Sequence, residues 1–220
     1  MRPKTVLVLN GSPKRTMGTS DALAEHLAGG LEGKGLAVIR RDLLKDMRGD
    51  MAGLTADCDR ADLIVLSFPL YVDCLPAHVV AWMEQISVSG IERRDRSFLA
   101  IGQCGNPDPA QIDVAMEVLQ NFARGMRFRW AGGLRMGMGP VLQGKTLREA
   151  GSAAKHAIAG LDETLQALAE GETVPDASAA EFSQRAVPTF LFLMLANRMW
   201  KKESKRHGAR RKLMDRPHGR

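Results

Sequence analysis

Apolar residues fall along this chain in short unbroken runs, separated by longer stretches in which they recur every three or four positions. Thr5-Val6-Leu7-Val8-Leu9 is wholly β-branched and aliphatic and stops at Asn10-Gly11. A run without polar alternation reads as a strand covered on both faces. Ala37-Val38-Ile39 starts a second strand, Asp62 to Phe68 forms a third, core-like one that Pro69 closes, and Phe98-Leu99-Ala100-Ile101 forms a fourth. A fifth falls near 128–135, its end filled with glycine and methionine. Between the runs, Leu23, Leu27 and Leu31 share one helical face and predict a helix over roughly 21–33, with Ser20 as its N-cap and Gly33 and Gly35 at its end. Further helices are expected from Ala77 to Ile86, over 109–125, and as one long alanine-rich helix from Leu147 to Ala169. Strand and helix alternate, which predicts a parallel sheet with helices on both faces over residues 1–170. Sites in such sheets lie at the carboxyl ends of the strands. Residues 171–187 read as a linker, 188–200 as an apolar helix or arm, and 201–220 as a basic tail.

Charge sharpens this division. Of 31 Lys and Arg and 25 Asp and Glu in 220 residues, nine bases and two acids lie in 201–220. The tail is therefore +7 and the other residues together −1, which weakens a nucleic-acid reading of the whole domain. Cys58, Cys74 and Cys104 are sparse, odd in number and without a C-x-x-C pair. They exclude a disulfide scaffold and fit a reducing, cytoplasmic setting. The run after Lys4 is far too short for a secretion signal, and no apolar stretch reaches spanning length.

Three loops follow strand ends and carry the candidate chemistry. The first, Gly11-Ser12-Pro13-Lys14-Arg15-Thr16-Met17-Gly18-Thr19-Ser20, joins a buried strand to a helix N-terminus. Backbone amides, the helix dipole and four hydroxyls (Ser12, Thr16, Thr19, Ser20) suit a phosphate monoester; a plain polar turn with a good helix cap would read the same. The second holds Tyr71 between Leu70 and Val72, flanked by Pro69 and Pro76, where an aromatic ring could stack on a planar heterocycle or simply lie half-buried. The third, Gly102-Gln103-Cys104-Gly105-Asn106-Pro107, offers small residues and backbone amides to the edge of a flat ring.

Leu-Asn-Gly-Ser-Pro-Lys at 9–14 with Gly-Thr-Ser at 18–20 is similar to the FMN phosphate loop of the flavodoxin-like NAD(P)H-dependent FMN oxidoreductases. Phe-Pro-Leu-Tyr-Val-Asp-Cys-Leu-Pro-Ala at 68–77 resembles that family's second flavin loop. Trp-Ala-Gly-Gly-Leu at 130–134, and Trp200 with the basic stretch ending His207-Gly208, resemble its longer bacterial members. The resemblance implies a flavodoxin-like three-layer α/β sandwich with a five-stranded parallel sheet, here with a C-terminal apolar arm. It implies FMN as cofactor, NAD(P)H as co-substrate and a homodimer. Ser12, Lys14, Thr19 and Ser20 fall on the phosphate loop; Pro69, Leu70, Tyr71 and Val72 on the ring loop; Cys104 and Gly105 at the pyrimidine end. The reaction expected is two-electron transfer from NAD(P)H through FMN to a small acceptor, a quinone, flavin or nitro compound, by a ping-pong sequence. No side chain is nominated as an acid or base. The alternatives are a flavodoxin-like electron carrier and a membrane- or partner-binding flavoprotein without turnover.

Two other features compete. Gly139-Pro140-Val141-Leu142-Gln143-Gly144-Lys145-Thr146 matches G-x-x-x-x-G-K-T. No good buried strand precedes it and no apolar run ending in aspartate follows, so it reads as a β–α loop near the site. The arm at 188–200 reads first as a segment packing on a dimer partner, then as weak membrane-surface contact through 188–220. Contact of the tail with nucleic acid would be electrostatic and non-specific. The five histidines show no metal-ligand spacing, and no metal is expected.

Overall fold

A computed structural model describes residues 2–213 and 215, apart from 15, 16, 93 and 143. The expectations that fall on Arg15, Thr16, Gln143 and residues 216–220 of the tail lie outside the described residues. The chain divides into two units, Met1–Ala186 and Val187–Arg220.

The first unit holds five strands, β1 (Thr5–Asn10), β2 (Ala37–Asp42), β3 (Leu63–Pro69), β4 (Ser97–Gln103) and β5 (Arg129–Met136). All pair in parallel in the order β2-β1-β3-β4-β5. Alternate side chains of each central strand point to opposite faces. Val6 and Val8 of β1, with Leu63, Val65, Leu99 and Ile101, bury against Leu23, Leu27 and Leu31 of α1 (Thr19–Gly33) and Leu161, Leu165 and Leu168 of the later helix at Lys155–Glu170. Leu7 and Leu9, with Ile64, Leu66, Phe68 and Phe98, bury against the other layer. That layer holds α2 (Leu43–Gly49), α3 (Met51–Arg60), α4 (Ala77–Val88) and α5 (Asp113–Gly125). The unbroken apolar runs of β1, β3 and β4 are explained: both faces of these strands are covered, whereas β2 at the edge has no buried residue.

Four features differ from the pattern-based reading. Ser20 is not the cap of α1; Gly18 occupies that position and Ser20 sits buried in the first turn. The polar stretch 43–60 carries α2 and α3, which start on side-chain caps: Asp42 accepts from the Lys45 amide and Asp50 from the Gly53 amide. The long alanine-rich helix is broken into α6 (Leu147–Ala150), a 3₁₀ turn at Gly151–Ala154 and α7 (Lys155–Glu170). The break falls where Gly151 adopts a left-handed φ of 57°. The stretch 171–187, expected as a linker, carries α8 (Asp176–Phe182), whose Phe182 is 1% exposed. Phe182 and Ser178 sit on Gly160 of α7, where an added Cβ would come within 2.7 Å of the Phe182 and Ser178 backbone.

The edges of the sheet are both occupied. On β2, Arg40 pairs with Glu32 and Glu25 of α1. On β5, the Val174 amide donates to the Ala131 carbonyl at 2.7 Å, and the strand carries a register shift opposite Phe98 and Leu99.

The second unit is α9 (Thr189–Arg206) followed by a turn at Arg210–Lys212. One helix thus runs through the boundary at 200 that the hydropathy pattern suggested. Among the described residues no helix is long and apolar enough to cross a membrane.

Candidate functional site

The chain leaves β1 for β2 on one side and returns to β3 on the other, so a crevice opens between the loops that follow β1 and β3. The ladders continue past the strand ends: the Gly11 amide donates to the Ser67 carbonyl at 2.7 Å, and the Leu70 amide to the Gln103 carbonyl at 2.8 Å. The three loops singled out from the sequence therefore start side by side at one end of the sheet.

The first loop is organised by Asn10 and Asp21, which the sequence reading passed over. Asn10 Oδ1 accepts from the Ser12 amide at 2.9 Å, and its Nδ2 donates to Asp21 Oδ1 at 2.5 Å. Asp21 Oδ2 accepts from the Gly18 amide at 2.8 Å, closing α1 from within. Burial pushes the Asp21 carboxyl up, helped by Asp42 and Glu25, while the Gly18 amide pulls it down. A legible signal existed: an acidic residue three positions after the cap is the side chain that reaches back to the loop.

This arrangement sorts the candidate phosphate donors. Ser12 is 3% exposed, and among the described residues its hydroxyl makes one weak hydrogen bond, accepted from the Lys14 amide at 3.4 Å. Thr19 instead donates its hydroxyl to the Gly139 carbonyl at 2.7 Å, tying the loop to the segment after β5. Ser20 is 1% exposed and its Oγ accepts from Gln103 Nε2 at 3.4 Å. Lys14 is exposed at the rim. A Cβ added at Gly18 would lie 3.3 to 3.8 Å from Asp21 Oδ2, Lys14 Cδ and Ser12 Oγ, so the glycine leaves open the space those three groups enclose. On the β2 side a cavity of about 480 Å³ adjoins the loop, lined by Lys14, Lys45 and Arg48 with Asp21 and Asp42. His78, also unforeseen, places Nε2 2.9 Å from the Gly11 carbonyl; burial lowers its pKa, and the neutral ring donates this bond.

The second loop is a tight hairpin. Tyr71 and Cys74 exchange both backbone hydrogen bonds at 3.0 Å. Val72 and Asp73 between them have φ of 49° and 56°. Left-handed backbone at two successive residues is the geometry that Asn-Gly normally fills, and a β-branched valine there is strained. Val72 is 99% and Tyr71 43% exposed, while Pro69 is buried and Leu70 half-buried.

In the third loop, Cys104 is buried, its Sγ facing the Asn106 and Asp108 carbonyls at 3.6 and 3.8 Å. Burial raises its pKa and keeps the thiol protonated. Gly105 is exposed, and among the described residues only Pro140 Cγ, at 4.0 Å, comes near an added Cβ, which leaves room beside this backbone for a flat ligand. The described residues of the G-x-x-x-x-G-K-T segment tie back to these loops and start a helix. The Gly139 amide donates to the Cys104 carbonyl at 2.9 Å, and Thr146 caps α6 through Glu149. An arginine-lined cavity of about 410 Å³, walled by Arg96, Arg127 and Phe128, lies at the opposite end of the sheet.

Residues 4–116, just over half of the chain, match the family model described as flavodoxin-like fold. The chain belongs to this family. Solved structures agree on the fold. An NADH:FMN oxidoreductase (EMOB) in its apo form superimposes with a TM-score of 0.56 at 15% identity, over 80% of this chain and 94% of that one. An FMN-dependent NADH-azoreductase from Bacillus anthracis, in complex with FMN, gives 0.54 at 14% identity, over 75% and 99%. The rubredoxin oxygen:oxidoreductase of Desulfovibrio gigas gives 0.54 at 16% identity, over 82% of this chain but 37% of that larger one. No curated protein matches the sequence.

Proposed function

We propose that this chain is an FMN-dependent NAD(P)H oxidoreductase that passes two electrons to a small acceptor. The observation that carries the reading is the pocket edge formed by the buried Ser12 hydroxyl, Lys14 and the cradle at Gly18, beside two further strand-end loops fit to hold a ring. The donor set suits a phosphate monoester: one buried neutral hydroxyl, the N-terminal end of α1, and a lysine at the rim. The named activities of the EMOB and azoreductase structures support the same class.

In this reading Ser12, Lys14 and the backbone at Thr19 and Ser20 hold the phosphate. Asn10 and Asp21 keep that loop in shape before any ligand arrives. Pro69, Leu70, Tyr71 and Val72 form one wall of the ring site, with Tyr71 exposed enough to stack. The backbone around Cys104 and Gly105 borders the other end, where amides stabilise negative charge. Bound FMN would supply the redox chemistry, accepting a hydride equivalent from NAD(P)H and passing the electrons on in a second half-reaction, so that nicotinamide and acceptor use the same cleft in turn. The acceptor is a quinone, a flavin or a nitro compound. The setting is cytoplasmic, consistent with three free cysteines, and the working form is a homodimer.

Absorbance spectra test the proposal. The purified chain with added FMN is expected to show bound-flavin bands near about 375 and 450 nm that bleach under anaerobic NADH or NADPH and return with a quinone. Binding without bleaching would make the protein a carrier. Failure to bind FMN would remove the assignment.

A further inference from the structure

The helix α9 has two halves of different chemistry. Phe190-Leu191-Phe192-Leu193-Met194-Leu195-Ala196 are consecutive, and at about 100° per residue they surround the helix with no gap wider than about 60°. A helix laid into a protein groove needs one apolar stripe and turns a polar face to water. This half has no polar face. Within the second unit Phe190 is 74% exposed and Leu193, Met194 and Leu195 are exposed with it.

The second half reverses the pattern. Arg198, Lys201, Lys202, Lys205 and Arg206 fall within an arc of about 140° on the same helical wheel. Met199 and Trp200 lie outside that arc and are 61% and 70% exposed. Glu203 bonds Arg206 and His207 at 3.2 Å, and Arg210, Arg211 and Lys212 add cations in the following turn. An indole at the junction of an apolar and a cationic segment matches the chemistry of a bilayer interface.

We infer that α9 is a one-leaflet anchor for anionic bilayers: Phe190–Ala196 enters the acyl layer, Trp200 sits at its boundary, and the cations lie among the headgroups. The seven apolar residues rise about 10 Å, less than half of a hydrocarbon core of about 30 Å. The anchor therefore seats in one leaflet and does not cross. Residues 1–200 are nearly neutral, so attraction to an anionic surface rests on the end of α9 and the turn after it. A bilayer surrounds the apolar half on every side, which a groove on a second copy of the chain does not.

The test is cosedimentation of the full-length, FMN-loaded protein with phosphatidylcholine vesicles, alone or with about one-third phosphatidylglycerol. Binding is expected to the anionic vesicles only, and to vanish between about 50 and 500 mM salt. Lys201→Gln, Lys202→Gln and Lys205→Gln together should lower the partition coefficient about a hundredfold. Leu193→Glu with Met194→Glu should abolish it, and circular dichroism should show both variants folded. No binding to anionic vesicles at low salt would overturn the inference. So would binding untouched by the Leu193/Met194 pair, or light scattering in which that pair splits a dimer into monomers.

Discussion

The loops after β1 and β3 face each other across one crevice yet are built on opposite terms. The β1 loop is held from within at its two ends: Asn10 holds the Ser12 amide and Asp21, and Asp21 holds the Gly18 amide. The β3 loop is exposed and strained, with Val72 and Asp73 left-handed and Val72 99% exposed. A phosphate is small, charged and always the same shape, so its cradle gains from being fixed in advance. On the proposed function, a ring wall that would admit nicotinamide and acceptor in turn gains nothing from rigidity, and strained backbone collects at such places.

Breaking the fixed side should have the largest effect. Asn10→Ala leaves the Ser12 amide and one Asp21 oxygen without partners and is expected to lower unfolding free energy by about 2 to 3 kcal/mol, read from urea transitions of the apoprotein. FMN affinity should fall with it. Ser12→Ala separates binding from stability: loss of one hydrogen bond to a charged group weakens FMN binding by about 2 kcal/mol, roughly thirtyfold, while the urea midpoint of the apoprotein hardly moves. Equal FMN affinity in both proteins would take Ser12 out of the site. The strained side should respond in the other direction. Val72→Asn with Asp73→Gly suits the turn geometry and should stabilise the apoprotein by about 1 to 2 kcal/mol in thermal melts. A destabilised variant would mean that the valine has a packing role.

The smallest effect concerns His78. Burial lowers its pKa from 6.5, so below that value the unfolded chain holds more protons there than the folded one. Stability therefore drops as pH falls from about 6.5 towards the lowered value. His78→Asn, which can still donate to Gly11, should lose less stability between pH of about 7.5 and 5 than the parent does. Parallel curves for the two proteins would remove His78 as the cause.

What the sequence made legible follows from which forces are local. The central strands β1, β3 and β4 declare themselves because burial on both faces demands apolar residues at nearly every position, whereas β2, at the edge, shows only the short run Ala37-Val38-Ile39. Both loops of the crevice were visible through Gly11-Ser12-Pro13 and Pro69-Leu70-Tyr71, since turn chemistry is written in a few adjacent residues. Asn10 and Asp21 were not, because their meaning is a contact across the loop. α2 and α3 were hidden by their polar composition, their starts resting on single aspartate caps. α8 was hidden because Phe182 finds its place only against Gly160 of α7. Thr19 looked like a phosphate donor until its hydroxyl was found on Gly139, more than a hundred residues away in the chain.

The flanks of the sheet have a consequence for how copies of this chain behave at high concentration. Open strand edges recruit one another and seed fibres. Here the β2 flank is screened by Arg40 and its two glutamates, and the β5 flank is latched at Ala131 by the amide of Val174. The latch is one backbone bond from a segment that carries no strand of its own. Fibrous aggregation, if forced by heat or shear, should begin with the peeling of residues 171–175 from β5, long before the central strands come apart.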